Sequence, residues 1–343
     1  MGVALKRILG GLVVFATSLI VSVVALEFIG QTLLFRNGVG LFKNVDHRMK
    51  PHTRETNGDG IRDAREADAY REEDRNIVFL GDSFVYGLGV ERDEAIPRQF
   101  EQILAQRSPE KRIRAANFGW VSSSPLLSYR LLRDIGRKYK PDVVVMCVDM
   151  TDFRDDLEYG MILERKGIFR FIRTFPITIM GLHRVIALVP GLGWFHELLF
   201  GFPARPFFVT DAPLARTEKY LSAIRSNIEA LDTYCEGELH ARFVVMVFPR
   251  SYQYSDRESA HSWERHEYTP LGPYALEPFK WFDRLRGEVR FPIHSLLPDF
   301  QKTTVFPTCI EKDTHWNKAG NRVAADAIIR YLSADGLLGP AHP

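Results

Sequence analysis

The 343-residue sequence has few cysteines and almost no net charge. Only Cys147, Cys235 and Cys309 occur, and no two of them form a CxxC pair. This usage argues against a disulfide scaffold and against a cysteine-rich zinc site. The 45 Lys and Arg residues nearly balance the 43 Asp and Glu residues, which leaves a net charge of +2. No overall field therefore favours nucleic acid as a partner.

The sequence also contains no G-x-S-x-G motif. The nucleophile elbow of the α/β-hydrolases is therefore absent. At 45% hydrophobic and 26% charged residues, the composition is that of a folded globular protein, so wholesale disorder is excluded. The length is sufficient for about two domains.

Only one long run lacks charge, over residues 8–26 near the N-terminus. As a helix this run would span about 28 Å, close to the hydrocarbon thickness of a bilayer. Lys6 and Arg7 precede it and Glu27 follows. The positive-inside rule then predicts a single-pass inner-membrane anchor, with the rest of the chain periplasmic or extracellular. The alternatives are a cleaved signal peptide, processed near Val23 and Ala25, and a buried helix.

Past the anchor, apolar strand-like runs alternate with helical periodicity. The strand-like runs are residues 76–80, 113–118, 142–148 and 243–248. They show no polar alternation, which favours an α/β fold whose parallel sheet is covered on both faces. The predicted organisation is an anchor (1–35), a linker and lead-in (36–75), an α/β domain (76–335) and a tail (336–343).

Residues 157–208 interrupt this alternation. The stretch is apolar and aromatic, with several Gly and Pro and no clean period. It predicts an insertion of short helices, packed on the main core as a subdomain. It could instead rest on a membrane surface or cap an active site. His183 and His196 lie within it and are interpreted as structural.

One candidate catalytic motif follows the first strand, in Gly81-Asp82-Ser83-Phe84. This places Ser83 at the carboxyl end of a strand, where open α/β sheets bind ligands. Gly81 permits the tight turn, and the Ser83 N–H could point into the same pocket. Alone, such a tripeptide is more often a simple turn.

A second motif, Asp313-Thr314-His315-Trp316-Asn317, precedes the last helix. One loop could deliver both an acid and an imidazole to Ser83. His315 would take the Ser83 proton, and Asp313 would orient the ring and stabilise its charged form. The structural alternative is a polar loop with Asn317 as helix N-cap, and both readings can hold together.

These two blocks resemble the SGNH/GDSL hydrolase superfamily. The resemblance implies a flavodoxin-like three-layer α/β/α sandwich that hydrolyses or transfers acyl groups without a cofactor or metal. It implies that Ser83 is the nucleophile of a triad with His315 and Asp313, supported in its motif by Gly81 and Asp82. The lead-in at 57–63 and the block at 81–97 are similar to extracytoplasmic bacterial members. The wording Asp-Thr-His-Trp is similar to membrane-anchored proteins that O-acetylate alginate and other cell-wall polymers. The resemblance covers residues 57–156 and 217–335.

The resemblance also implies an oxyanion hole formed by the Ser83 and Gly119 N–H groups and an Asn in a G-x-N-D block. Asn117-Phe118-Gly119 fits the glycine block. Aligning the acid of the other block on Asp152 puts Thr151 where Asn belongs. Loss of one oxyanion donor costs about 2.7–4 kcal/mol in one enzyme. We therefore expect a slow hydrolase, a hole completed by another group, or an inactive relative.

Other clusters offer competing interpretations. The stretch from Glu55 to Glu66 mimics a calcium loop but departs from it at its first position. The acids at 149, 152, 155 and 156 suit a helix N-terminus better than a metal site. Glu264 and His266 are predicted in a solvated loop. Trp120 and Trp316 flank the two motifs and could stack on a sugar ring or simply pack.

Three functions stay open at this stage. The first is an acyl esterase or O-acyltransferase, of O-acetyl groups by resemblance, that acts on an extracytoplasmic polysaccharide or glycan. The resemblance suggests a membrane-bound acyltransferase as its partner. The second is a non-catalytic anchored module that binds glycan or scaffolds a membrane complex. The third is a lysophospholipase whose insertion presents apolar surface to lipid.

Overall fold

A computed structural model describes residues 2–36, 51–110, 112–189 and 191–339. Within it the chain forms two compact units. One contains residues 1–43 and 161–204, and the other contains residues 44–160 and 205–343. Most of the predicted linker before residue 51 and the end of the predicted tail lie outside the described residues. We call the units the apolar unit and the α/β unit.

A five-stranded parallel sheet forms the centre of the α/β unit. Its strands, in the spatial order β2-β1-β3-β4-β5, are β1 Arg75–Gly81, β2 Ile113–Gly119, β3 Val143–Val148, β4 Arg242–Val247 and β5 Ile293–Ser295. The first four coincide with the four apolar runs. The α/β fold class predicted from those runs is thus confirmed.

Helices cover both faces of this sheet. Alternate side chains of β1 lie in different cores, with Val78 and Leu80 on one face and Ile77 and Phe79 on the other. Such two-sided burial is the reason the strands read as continuous apolar runs. The helices of the chain, in order, are α1 Gly2–Arg36, α2 Ser83–Tyr86, α3 Ile96–Arg107, α4 Pro125–Ile135, α5 Asp152–Leu163, α6 Pro176–Leu188, α7 Gly193–Phe200, α8 Leu214–Thr217, α9 Ser222–Tyr234, α10 Glu277–Leu285, α11 Leu297–Lys302 and α12 Lys318–Ala334.

The apolar unit is built from α1, α6, α7 and short turns. Its segment Lys6–Leu33 is long and apolar enough to cross a membrane. The interior of the unit is aromatic, and His183 and His196 lie buried there between Phe200 and Phe202. His196 Nδ1 lies 3.0 Å from the Phe202 carbonyl oxygen. Both histidines thus have the structural surroundings predicted for them.

Candidate active site

Ser83 is the first residue of α2, two residues after β1 reaches Gly81. A Cβ on Gly81 would lie 2.6 Å from Val85 Cγ2 and 3.0 Å from the Cys147 carbonyl oxygen. Only glycine therefore fits the turn. Asp82 caps α2, because its Oδ1 accepts a hydrogen bond from the Phe84 N–H at 2.9 Å. The strand and this cap together fix the Ser83 side chain at the carboxyl edge of the sheet.

The structure brings Ser83, His315 and Asp313 together. Ser83 Oγ lies 2.7 Å from His315 Nε2, and His315 Nδ1 lies 2.5 Å from Asp313 Oδ1. The serine is 7% and the histidine 5% exposed. The contacts run in the order nucleophile, base and orienting acid that acyl transfer through serine requires.

The loop that carries His315 is fixed by the start of α12. Asn317 Oδ1 accepts hydrogen bonds from the N–H groups of Ala319 and Gly320, at 2.9 and 3.0 Å. The same side chain donates to the carbonyl oxygens of Pro307 and Cys309. Asn317 is thus the N-cap predicted for it, and the cap holds the loop beside the sheet.

The charge on Asp313 suits an orienting acid. Burial alone would raise the pKa of its carboxyl, but the hydrogen bond and charge of His315 outweigh burial and lower the pKa to about 2. Asp313 is therefore ionised at neutral pH and can stabilise an imidazolium on His315.

The pKa of the Asp82 carboxyl is shifted in the opposite direction from that of Asp313. Burial and the neighbouring charge of Asp149 raise the pKa of its carboxyl to about 7. Its Oδ2 accepts a hydrogen bond from Ser83 Oγ at 3.2 Å. Asp152, whose Oδ2 accepts from the Asp149 N–H at 2.9 Å, also has a raised pKa because of burial and Asp149. The carboxylates of Asp82, Asp149 and Asp152 thus lie within 4.8 Å of one another next to the serine.

Arg250, just beyond the end of β4, is the cation beside these buried carboxylates. Its Nε donates to Asp149 Oδ2 at 2.7 Å, and its Nη1 donates to Glu264 Oε2 at 2.9 Å and Thr314 Oγ1 at 3.1 Å. The guanidinium is 3% exposed. Arg250 therefore links the residues that follow β3 and β4 to Glu264 and to the loop that carries His315.

Sequence reasoning missed this network. Glu264 was predicted in a solvated loop, whereas it is buried against Arg250 and Thr314; only the neighbouring His266 is exposed. The prediction for Glu264 is therefore wrong, because an arginine distant in sequence neutralises it. The one available signal was the position of Arg250 at the carboxyl end of a strand.

The two residues carried over as oxyanion donors are engaged with neighbours. The Gly119 N–H donates to Asn117 Oδ1 at 2.9 Å. Thr151 donates both its N–H and its hydroxyl to Asp149 Oδ1, each at 2.7 Å. Ser83 lies in the first turn of α2, where N–H groups have no partner within the helix. The donor role of the serine amide stays a prediction, as does the supporting role of Asp152, whose carboxylate accepts from the Asp149 N–H.

The two tryptophans have interior positions. Trp316 is 1% exposed and stacks on Phe300, with ring centroids 4.4 Å apart. It also packs edge-on against Phe84, at 4.8 Å. Trp120 is 5% exposed. Of the two alternatives left open for these rings, sugar stacking and packing, the burial of both rings favours packing.

The stretch resembling a calcium loop is held by protein contacts. Glu55 pairs with Arg62 at 2.9 Å, and Asp59 pairs with Lys138 at 2.5 Å. Glu66 accepts from the Gly58 N–H. These carboxylates are committed to cations and backbone donors, so the calcium interpretation is not supported.

No protein-family model matches the sequence, and no curated protein matches it. Several solved structures are similar in fold. One is LAE5, an α/β hydrolase enzyme from the metagenome of Lake Arreo, with 15% identity, coverage of 79% of this chain and 99% of that chain, and a TM-score of 0.39. Another is the psychrotrophic esterase EstA from Pseudoalteromonas, with 13% identity, coverage of 76% and 100%, and a TM-score of 0.41. A third is a variant of the acetyl-xylooligosaccharide esterase Axe2 from Geobacillus, with 15% identity, coverage of 76% and 95%, and a TM-score of 0.41. At these identities no activity or substrate is carried over to this chain.

Proposed function

We propose that this protein is a serine-dependent acyl esterase or O-acyltransferase, acting on O-acetyl groups of an extracytoplasmic polysaccharide or glycan. The observation that carries the proposal is the contact of Ser83 with His315 and of His315 with Asp313, at 2.7 and 2.5 Å. Both the serine and the histidine come from motifs that resemble the SGNH/GDSL hydrolases.

The mechanism follows from these contacts. Ser83 Oγ attacks the ester carbonyl carbon while His315 Nε2 takes the hydroxyl proton. Asp313 stabilises the imidazolium, and His315 then gives the proton to the leaving alcohol. An acyl ester on Ser83 is left behind. The second half-reaction repeats these steps with an acceptor hydroxyl: water makes the protein an esterase, and a sugar hydroxyl makes it a transferase.

The oxyanion that forms in each half-reaction needs donors. The Ser83 N–H supplies one. Gly119 and Thr151 supply others only if substrate draws their N–H or hydroxyl groups away from Asn117 and Asp149. A hole that must exchange hydrogen bonds before it acts is poorly preorganised, so we infer a slow enzyme.

The location in the proposal comes from α1. A span over Lys6–Leu33, with Lys6 and Arg7 on the cytoplasmic side, leaves the α/β unit outside the inner membrane. A polysaccharide of the envelope is then the accessible substrate. The Asp-Thr-His-Trp motif resembles that of proteins that O-acetylate polymers. By this resemblance the protein acts in polymer O-acetylation together with a membrane-bound acyltransferase.

A second candidate is an anchored module that binds glycan or scaffolds an acylation complex without chemistry of its own. It is favoured by the engagement of Gly119 and Thr151 with neighbouring side chains. It predicts that removal of the Ser83 hydroxyl leaves the biological role unchanged.

Turnover of p-nitrophenyl acetate by the full-length protein in detergent separates these candidates. We expect Ser83→Ala and His315→Ala each to lose about a thousand-fold in rate or more. The exposed residues Ser333 and His266 give matched controls, Ser333→Ala and His266→Ala, which should keep full activity. A Ser83→Ala protein as active as wild type would overturn the enzymatic proposal. Mass spectrometry of glycan from a Ser83→Ala strain tests the substrate, since unchanged acylation would rule out the glycan.

A further inference from the structure

Large apolar side chains are exposed unevenly between the two units. Among the described residues, only five such side chains are exposed in the whole α/β unit. The much shorter stretch 161–204 exposes eight: Phe171, Leu182, Val185, Leu188, Val189, Trp194, Phe195 and Leu198. An apolar surface this concentrated marks a binding face rather than ordinary solvent exposure.

Helix α6 is apolar on both of its sides. Ile179 and Ile186 are buried inside the unit, whereas Val185 is 61% and Leu188 79% exposed. A helix whose outward side is also largely apolar suits a medium other than water. Among the described residues that side carries Leu182, Val185 and Leu188 together with one cation, Arg184.

The start of α6 is fixed to α1. The Glu27 carboxylate accepts hydrogen bonds from the N–H groups of Ile177 and Thr178, at 3.0 and 2.7 Å, and from the Thr178 hydroxyl at 2.7 Å. Glu27 is 4% exposed, the one buried side chain described on α1. A Cβ on Gly30 would lie 3.0 Å from Ile177 Cγ1, so the two backbones approach closely.

This contact sets the depth of α6. Glu27 and Gly30 are close to the end of Lys6–Leu33, the segment able to cross a membrane. Where α1 leaves the hydrocarbon, α6 therefore begins. A carboxylate in a membrane helix is costly unless it has partners, and the first N–H groups of α6 provide them.

The charge of the stretch suits the same location. Residues 161–204 contain only two acids, Glu164 and Glu197, against five cations. The cations are Arg165, Lys166, Arg170, Arg173 and Arg184, and all five are exposed. Apolar helices that carry Trp and Phe together with exposed Lys and Arg bind the interface of anionic bilayers.

We propose that residues 161–204 form a second membrane-embedded element, with α6 and α7 lying in the bilayer interface beside α1 and with anionic phospholipid as their ligand. The inference rests on the anchoring by α1 proposed above. It makes the protein monotopic at this face as well as anchored, so the insertion contributes lipid contact of its own.

Depth-dependent fluorescence quenching in the full-length protein tests this inference. The protein is placed in nanodiscs that contain phosphatidylglycerol and carries a single NBD label on a cysteine introduced at Leu188 or Leu198. The three native cysteines are buried, so labelling is specific to the introduced site. Val14→Cys on α1 is the lipid-facing reference, and Val305→Cys in the α/β unit is the water-facing reference; both positions are exposed.

We expect doxyl-labelled lipid to quench the Leu188→Cys and Leu198→Cys labels as it does the Val14→Cys label, and aqueous iodide to spare them. Labels that follow the Val305→Cys pattern at both sites would overturn the inference. Labels shielded from lipid and iodide alike would also overturn it, because a protein partner would then cover the face. If the Val14→Cys label itself escapes lipid quenching, the anchor fails, and that outcome is distinct from failure of α6 and α7.

Discussion

The two units differ in where they place charge. The α/β unit buries charge at its centre, where Arg250 lies between Asp149 and Glu264 beside the loop that carries His315. Among its described residues, the apolar unit keeps its cations on the surface and buries one carboxylate, Glu27, against backbone donors. Buried ion pairs connect segments that are distant in sequence within the α/β unit, whereas the exposed apolar side chains of the other unit suit the lipid that we propose surrounds it. The difference separates the part that we propose performs chemistry from the part that we propose holds the protein in place.

Removal of Arg250 is expected to have the largest effect on stability. We expect Arg250→Met to lower the free energy of unfolding by about 3–5 kcal/mol, because it leaves the Asp149 and Glu264 carboxylates buried without a cation. Chemical unfolding followed by near-ultraviolet circular dichroism measures the change. Arg225→Met removes a more exposed arginine from its pair with Glu229 and should cost about 0–1 kcal/mol. Equal losses for the two variants would show that the Arg250 network contributes no more than a surface pair.

A smaller effect is expected in the apolar unit. Glu27→Ala removes the cap of α6, which is worth about 1 kcal/mol, so the Ile177 and Thr178 amides should exchange hydrogen roughly five- to ten-fold faster. Exchange in β1 and β3 should stay as in wild type. Thr32→Ala is the matched control, because the Thr32 hydroxyl donates to the Phe28 carbonyl oxygen within α1 itself. Unchanged exchange at the two amides would mean that Glu27 does not hold the helix.

The smallest effect concerns the pH dependence of Asp82. With a pKa of about 7, its carboxyl is largely neutral below that pH and ionised above it. The ionised carboxylate is the stronger acceptor for the hydrogen bond from the Ser83 hydroxyl. It therefore competes with His315 Nε2 for that hydrogen bond. Asp82→Asn keeps an oxygen for the Phe84 N–H but cannot ionise. We therefore expect the rate of Asp82→Asn relative to wild type to rise by a few-fold as pH increases from about 6 to about 8. A ratio that stays constant over this range would contradict the competition.

Much of the α/β unit could be predicted because its strands are buried on both faces. Residues 76–80 and 142–148 read as apolar runs and correspond to β1 and β3. Strand β5, Ile293–Ser295, has three residues and gives no such signal. Short strands depend on their neighbours more than on their own sequence.

The residues of the candidate site likewise divide into those that the sequence could predict and those that it could not. Ser83, Asp313 and His315 lie in two compact motifs, so their meeting could be anticipated, while their roles stay a proposal. Arg250 and Glu264 could not be anticipated, because one arginine and one glutamate in unrelated segments look the same whether they pair or face water. The hydrogen bonds of Thr151 depend on the backbone beyond β3, which composition does not specify.

The contact between Ser83 and His315 has a consequence for biosynthesis. The two residues are 232 positions apart in the chain. A ribosome completes the Ser83 loop and the first strands long before it reaches the loop that carries the proposed base. α12, which follows that loop, packs against α3. Every nascent or truncated chain that stops before residue 315 therefore lacks the proposed base, and the proposed site can assemble only after that loop has been synthesised.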